Sequence, residues 1–207
     1  TGRLSLVPIN GINVENPYLS DITDECFSTL RQTIAHSLGW DLLETLHSAA
    51  FPVTTSPDPG IPQNWLYTGR AISLNLSPYN AGWMVVSRED FDGLAYWRLW
   101  GKCLNQDGAC GQIINSPTWD FLSRASGDLA AFEAGGKPLA PPQGYWVDLT
   151  NIALQIGWER IPSQSDWRTY YSGMHFNTFV FSQRKSWRQA MLELYPIDVV
   201  NSLETGK

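Results

Sequence analysis

The first sustained hydrophobic pattern in the chain is Phe27, Leu30, Ile34 and Leu38, at spacings of 3, 4 and 4. That period puts all four on one stripe of a helix, with Asp21 or Thr23 placed to cap it and Gly39 to end it. Asp41 opens a second, shorter helical pattern through Leu42, Leu43, Leu46 and Ala50. Ahead of both, residues 1–20 hold Pro8, Gly11, Asn13 and Pro17 without any period, which predicts an extended N-terminal arm. Residues 52–64 carry four prolines and predict a loop.

The pattern then turns to strands. Ala71 to Leu76 reads as one. Gly82 to Ser87 and Leu94 to Lys102 read as an antiparallel pair turning at Asp92-Gly93. Residues 109–115 read as the return strand of a second hairpin turning at Asp107-Gly108, Thr118 to Ser123 as a short helix, and 134–144 as a loop. Asp148 or Thr150 caps a helix through Ile152, Ala153 and Ile156 that Gly157 ends. Trp158 to Ile161 and Phe176 to Ser182 are strands, and Ser186 to Leu194 is an amphipathic helix before Pro196. Helices, then antiparallel strands, then mixed elements predict an α+β domain over 21–207, with N-terminal helices packed on a mainly antiparallel sheet and an inserted hairpin region near 83–145.

Composition narrows the classes. The 207 residues are 43% hydrophobic and 16% charged, which suits a folded core rather than disorder. A net charge of −6 without a basic stripe speaks against nucleic acid as a partner. No apolar run approaches the ~20 residues of a transmembrane segment. A start at Thr1, with no signal-peptide pattern, fits a processed protein or an excised domain. Against 4 Lys stand 10 Trp, 8 Tyr and 8 Phe. Such rings build either a Trp-rich core or a surface that stacks on sugars. Few lysines among many Trp, Asn, Ser and Thr fit an exported bacterial protein.

The cysteines agree with export. Cys103 and Cys110 flank the Asp107-Gly108 turn, so a hairpin there brings them opposite each other and predicts a disulfide, hence an oxidising compartment: extracellular, cell-surface or periplasmic. No histidine lies near the pair to suggest a metal site. Cys26, on the helical stripe pattern, reads as a buried free thiol. Along the second strand of the first hairpin, Tyr96, Arg98 and Trp100 share one face while Trp97 and Leu99 share the other. If Trp97 and Leu99 face the core, Tyr96 and Trp100 form either a platform for a glycan or partner protein, or a second packed layer under residues 124–144.

Two segments stand out together: Asn64-Trp65-Leu66-Tyr67-Thr68-Gly69-Arg70-Ala71-Ile72-Ser73, and Trp158-Glu159-Arg160 with Trp167-Arg168 and Ser172-Gly173-Met174-His175-Phe176-Asn177. In order and spacing they resemble the two active-site motifs of the D-alanyl-D-alanine carboxypeptidase family of zinc peptidases, the hedgehog-type fold. They also look like a group of uncharacterised exported bacterial domains. The resemblance implies that the family's first zinc-ligand His falls on Leu66, its ligand Asp on Ser73 and its catalytic base on Ser172. Only His175 keeps a ligand identity. Leu66 has no lone pair to give and a serine hydroxyl is a poor substitute for a carboxylate, so neither zinc nor another cofactor is expected there. Ser73 and His175 are expected to hydrogen-bond to each other or to Ser172. Arg70 is either a carboxylate-reading residue near His175, with Tyr67 beside it as a candidate ligand contact, or a structural ion pair with Asp148 or Glu159.

No other chemistry has its spacing. His36 and His47 form no His-x-x-x-His pair, there is no Gly-x-Ser-x-Gly elbow, and no phosphate loop. Asp120, Asp148 and Glu159 show no spacing of a glycosidase pair. The expected function is therefore a non-catalytic exported module on a zinc-peptidase-like scaffold, binding a cell-wall glycan or peptide or another extracellular protein. The alternatives are a structural subunit of an extracellular assembly, such as a surface layer or filament, and a peptidase or amidase with a rearranged site.

Overall fold

The computed structural model describes residues 3–205. Over them, the stretch expected to be an arm is a hairpin: β1 (Leu6–Pro8) pairs antiparallel with β2 (Tyr18–Ser20). Leu19, Ile9 and Ile12 join the main core. Three-residue strands with prolines nearby leave no period to read, which is why the sequence resembles an unstructured arm. Residues 1 and 2 of that expectation lie outside the described residues.

Helix α1 (Asp24–Leu38) buries Phe27, Leu30, Ile34 and Leu38, as the 3-4-4 spacing predicts, and Gly39 ends it at φ 83°. Thr23 sits at its start, but its hydroxyl donates to the carbonyls of Ser20 and Gly69, at 2.7 and 3.1 Å. The second helical pattern becomes one 3-10 turn, Leu42–Glu44, capped by Asp41, and then β3 (Leu46–Ser48). Leu46 is taken by a strand because its partner, β4 (Ala71–Leu74), offers a sheet edge.

After the short α2 (Ser77–Asn80), β5 (Met84–Phe91) and β6 (Leu94–Lys102) form the expected hairpin. Asp92 and Gly93 both adopt positive φ, 50° and 78°, as the predicted two-residue turn requires. The next stretch departs from expectation. Thr118 to Ser123 holds a strand, β7 (Thr118–Asp120), followed by a 3-10 turn, Leu122–Ala125, whose first amide donates to Asp120 Oδ1 at 2.9 Å. Then come α3 (Leu129–Ala134) and β8 (Lys137–Leu139), which pairs with β7. Finally β9 (Trp146–Asp148), α4 (Leu149–Ile156), β10 (Glu159–Arg160), β11 (Thr178–Val180), α5 (Trp187–Leu194) and α6 (Ile197–Thr205) complete the chain. Asp148 caps α4 by accepting from the Asn151 amide at 2.8 Å, and Ser186 caps α5 in a reciprocal box with Gln189.

The result is a mixed α+β fold. A four-stranded sheet in the order β10-β11-β4-β3 and a three-stranded one, β5-β6-β9, are both antiparallel throughout. Helix α1 packs on α4, and the main core lies between these helices and the sheets. Part of the aromatic excess is spent there. Trp97 meets Phe121 at 4.6 Å and Trp167 at 5.2 Å between ring centres, and Phe121 meets Phe176 at 4.6 Å. No helix among the described residues is long and apolar enough to cross a membrane.

Cys103 and Cys110 are disulfide-bonded, their Cα atoms 6.0 Å apart. The loop they close is not the expected hairpin. Its backbone pairs with β9 instead: Cys103 N–H donates to the Tyr145 carbonyl at 3.0 Å, and Gln112 and Trp146 exchange two bonds of 2.8 Å. Gly111 permits this, since a Cβ there would lie 2.4 Å from the Trp146 carbonyl oxygen. Cys26 is free and half-buried. Thiol titration of the denatured, unreduced chain is expected to find one thiol, and three would overturn the pairing. Reduction and alkylation should lower unfolding stability by about 2–3 kcal/mol in urea titrations, as closure of a short loop implies.

Candidate functional site

The two segments that carry the resemblance meet because β4 and β11 pair. In their register Thr178 faces Ser73, Phe179 faces Ile72 and Val180 faces Ala71. Strand alternation sends Ile72, Leu74 and Phe179 into the main core. Ala71 and Val180 pack with Leu66 on the other face, where Ser73 and Thr178 line an open cleft of about 660 Å³.

A 3-10 turn, Trp65–Thr68, leads into β4. Asn64 starts it by accepting from the Leu66 amide at 3.0 Å. Gly69 ends it at φ 63°, and a Cβ on Gly69 would come within 2.5 Å of the Leu6 side chain. This tight turn splits its residues. Leu66 and the half-buried Trp65 face the cleft. Tyr67 points the other way, into a cluster with Trp187, Met191, Val200 and Leu203, and its hydroxyl donates to the Thr55 carbonyl at 3.0 Å. Tyr67 is therefore a core residue rather than a ligand contact.

The opposite wall runs from Ile161 to Thr178. Buried Ser163 pins it: its hydroxyl accepts from the Trp97 indole and donates to the Met174 carbonyl, both at 2.7 Å. A 3-10 turn, Tyr171–Met174, ends at His175, which adopts a left-handed φ of 53°. That turn buries Met174 and Phe176 while His175 lines the cleft. Exposed Ser172 lines it too. Leu66, Ser73, Ser172 and His175, chosen from sequence, thus share one cleft. The expected bonding differs, however. Ser73 Oγ lies 3.1 Å from Thr178 Oγ1, its register partner, and takes neither His175 nor Ser172. The His175 imidazole has no hydrogen-bond partner among the described residues, and burial pushes its pKa below the ordinary histidine value.

Arg70 corrects a second expectation. Its guanidinium is wholly buried and away from the cleft. Nη2 pairs with Glu193 of α5 at 2.5 Å, and Nη1 donates to Phe181 O and Gln183 Oε1, each at 3.2 Å. Its partner is neither Asp148, which pairs with Arg98, nor Glu159, which accepts from Ser182. Positions 70 and 73 are three apart on a strand, so they face opposite sides, a signal already present in the sequence.

Tyr96 and Trp100 do share a face with Arg98, with Trp97 and Leu99 buried beneath. They offer no free platform. Trp100 packs under Ile114 and Trp146, and Arg160 lies 5.2 Å from the Tyr96 ring centre. The cover comes from residues 114 and 146 rather than 124–144. Arg98 between the rings bonds Glu89 and Asp148, at 2.7 and 2.6 Å.

Sequence reading missed most of the cleft's lining. Phe51, Trp65 and Tyr171 supply rings, and Gln164 and Asn177 supply amides. Asp58 and Glu204 are its two carboxylates and both are engaged. Asp58 accepts from the Tyr170 hydroxyl and the Gly60 amide; Glu204 accepts from Arg188 and Gln63. Among the described residues no group of three or more His, Cys, Asp or Glu could hold a metal ion. The cleft therefore presents hydroxyls, amides and ring edges, the imidazoles of His47 and His175, and the Asp58 carboxylate, whose two partners are neutral. It has the means to hold a polar chain by hydrogen bonds.

Comparison with protein-family models, with curated proteins and with solved structures gives no match. The cleft stands on its own geometry.

Two measurements check these placements. Arg70→Ala should lower stability by on the order of 3 kcal/mol in urea titrations, because it removes a buried, hydrogen-bonded charge and its volume. His175 supplies a pH signature. Its folded pKa is lowered, so below the ordinary value of 6.5 the unfolded chain takes up a proton before the native one does. Its contribution to stability is present above pH 6.5 and lost as pH falls below it. His175→Asn, which tolerates the left-handed backbone, should lose less stability than the wild type between about pH 7.5 and about pH 5.5. Equal losses would show that the imidazole is not desolvated.

Proposed function

We propose that the chain is a non-catalytic, exported binding module on a scaffold similar to the hedgehog-type zinc peptidases, whose cleft takes a cell-wall glycan or its attached peptide. One observation carries this reading: Leu66, Ser73, Ser172 and His175 line the same cleft, in the order the peptidase motifs would require. Leu66 gives no lone pair where the family has its first ligand, and Ser172 cannot take a proton from water as a carboxylate does. What remains is a groove with half-buried Trp65, amides and hydroxyls. Rings with neutral donors and acceptors suit sugars and peptide bonds. The disulfide agrees with an oxidising compartment.

The exposed apolar side chains Leu122, Leu129, Phe132 and Leu139, all on the 118–139 segment, favour a second reading, a subunit of an extracellular assembly. Self-association in sedimentation experiments would support that alternative.

Titration with soluble peptidoglycan fragments, followed by tryptophan fluorescence, tests the binding reading. Saturable binding without hydrolysis is expected, with Trp65→Ala weakening it about tenfold. Absence of binding, or turnover of the fragments, would overturn the reading. The scaffold is tested separately. Leu66→His with Ser73→Asp should create micromolar zinc affinity without activity, since the base at Ser172 is still absent. A folded double variant that takes up no zinc in calorimetry removes the resemblance.

A further inference from the structure

The cleft is roofed on one side by the proline-rich stretch between Phe51 and Trp65, none of whose residues is buried. Such a stretch has little apolar contact to hold it down. It is fixed at its start, where the Tyr67 hydroxyl donates to Thr55 O at 3.0 Å. It is fixed at its end, where the Trp187 indole donates to Asn64 O at 2.9 Å. Next to the second anchor the Gln63 side-chain amide also donates to Glu204, at 3.4 Å, and one hydrogen bond among the described residues joins residues 56–62 to another part of the chain. It is the bond from the Tyr170 hydroxyl to the Asp58 carboxylate.

Tyr170 belongs to the facing wall, in a stretch that is itself unburied from Arg168 to Ser172. Asp58 lines the cleft on one side, Tyr171 and Ser172 on the other. The bond therefore spans from wall to wall. Gly60 completes the contact. A Cβ there would sit 2.6 Å from two ring carbons of Tyr170 and 2.7 Å from its hydroxyl oxygen. The strap lies against the Tyr170 ring only because residue 60 has no side chain, and the Asp58 carboxylate also accepts from the Gly60 amide at 2.9 Å.

We propose that residues 56–62 form a strap that closes the cleft, latched by the Tyr170–Asp58 hydrogen bond, and that ligand enters when this latch opens. The device rests on the reading of the cleft as a binding site, but its opening is measurable without any ligand. The facing wall is held by its own turn, with the Tyr170 amide donating to Asp166 O at 2.9 Å and Arg124 lying 5.5 Å from the Tyr171 ring centre, so the part released when the charge-assisted bond breaks is the strap. The floor beneath, Ser73 on β4, is held by strand pairing and does not move with the strap.

The test places a reporter thiol on that floor. In a Cys26→Ser background, Ser73→Cys is labelled with a maleimide and the rate is followed. Tyr170→Phe removes the donor and keeps the ring. Gly60→Ala keeps both bonding groups and pushes the ring away. Each should raise the labelling rate about tenfold, the worth of a hydrogen bond to a charged group, with little change in thermal midpoint. Unchanged rates in both variants would overturn the latch. Association of soluble peptidoglycan fragments, measured by stopped flow, should accelerate in the same two variants. Faster labelling with no fragment bound leaves the latch and removes the binding reading. Fragment binding with unchanged labelling does the reverse.

Discussion

Strand β4 is buried at all four of its positions, Ala71 to Leu74, and that constraint organises the molecule. A strand without an exposed face must be covered on both sides and paired on both edges. Its edges are met by β3, twenty-odd residues earlier, and β11, about a hundred residues later. The core face is met by the packing around α1. The other face carries only Ala71 and Ser73, small residues that leave a depression instead of a layer. Leu66 and Val180 close one end of that depression and the rest is the cleft. The site exists because β4 is completed by a distant strand and presents small side chains on one side.

Arg70 shows the cost of that arrangement. It enters β4 from a turn that needs Gly69, and its side chain lies where no water reaches it. A buried guanidinium is tolerated only with acceptors around it. Glu193, Phe181 O and Gln183 supply them, while Nε is left without a partner. Glu193 also holds Lys185 at 3.0 Å, so α5 is tied to the sheet through one carboxylate. The Gly69-Arg70-Ala71 run is thus explained residue by residue as packing. Glycine allows a close approach to the N-terminal hairpin, arginine clamps a helix, and alanine fits beneath Val180.

Local signals were legible for most elements that carried their own ends, though α3, with Asp128 at its start and Gly135 at its end, was not read as a helix. Helices α1 and α4, the β5–β6 hairpin and α5 all have a cap, a period or a turn dipeptide within their own residues. The disulfide was readable from the spacing of Cys103 and Cys110, although its loop pairs with β9 and not with itself. Elements of three residues, β1, β2, β7 and β8, exist only because a partner strand accepts them, and nothing within three residues announces that partner. The same division holds at the cleft. Its floor follows from motif order and strand alternation. Its walls do not, because Asp58, Gln164 and Tyr171 come from irregular segments whose positions are decided by distant contacts such as Ser163 with Trp97.

The tryptophans sharpen what kind of site such a fold can offer. Trp97, Trp158, Trp167 and Trp187 are consumed by packing, and Trp100 and Trp146 cover one another on the outer sheet. Arg88 is drawn over Trp119 and Trp167, at 5.4 and 5.3 Å. Rings already in contact with a guanidinium are poor sites for a sugar, since stacking a ligand would first displace the cation. Trp65 differs from these: it is half-buried, lines the cleft, and has no cation against its ring among the described contacts. In a chain this rich in aromatics, composition alone points everywhere and so locates nothing. The discriminating property is which rings keep a face toward a cleft without a cation against them, and Trp65, although it packs in part on two core clusters, has that property at the turn preceding β4.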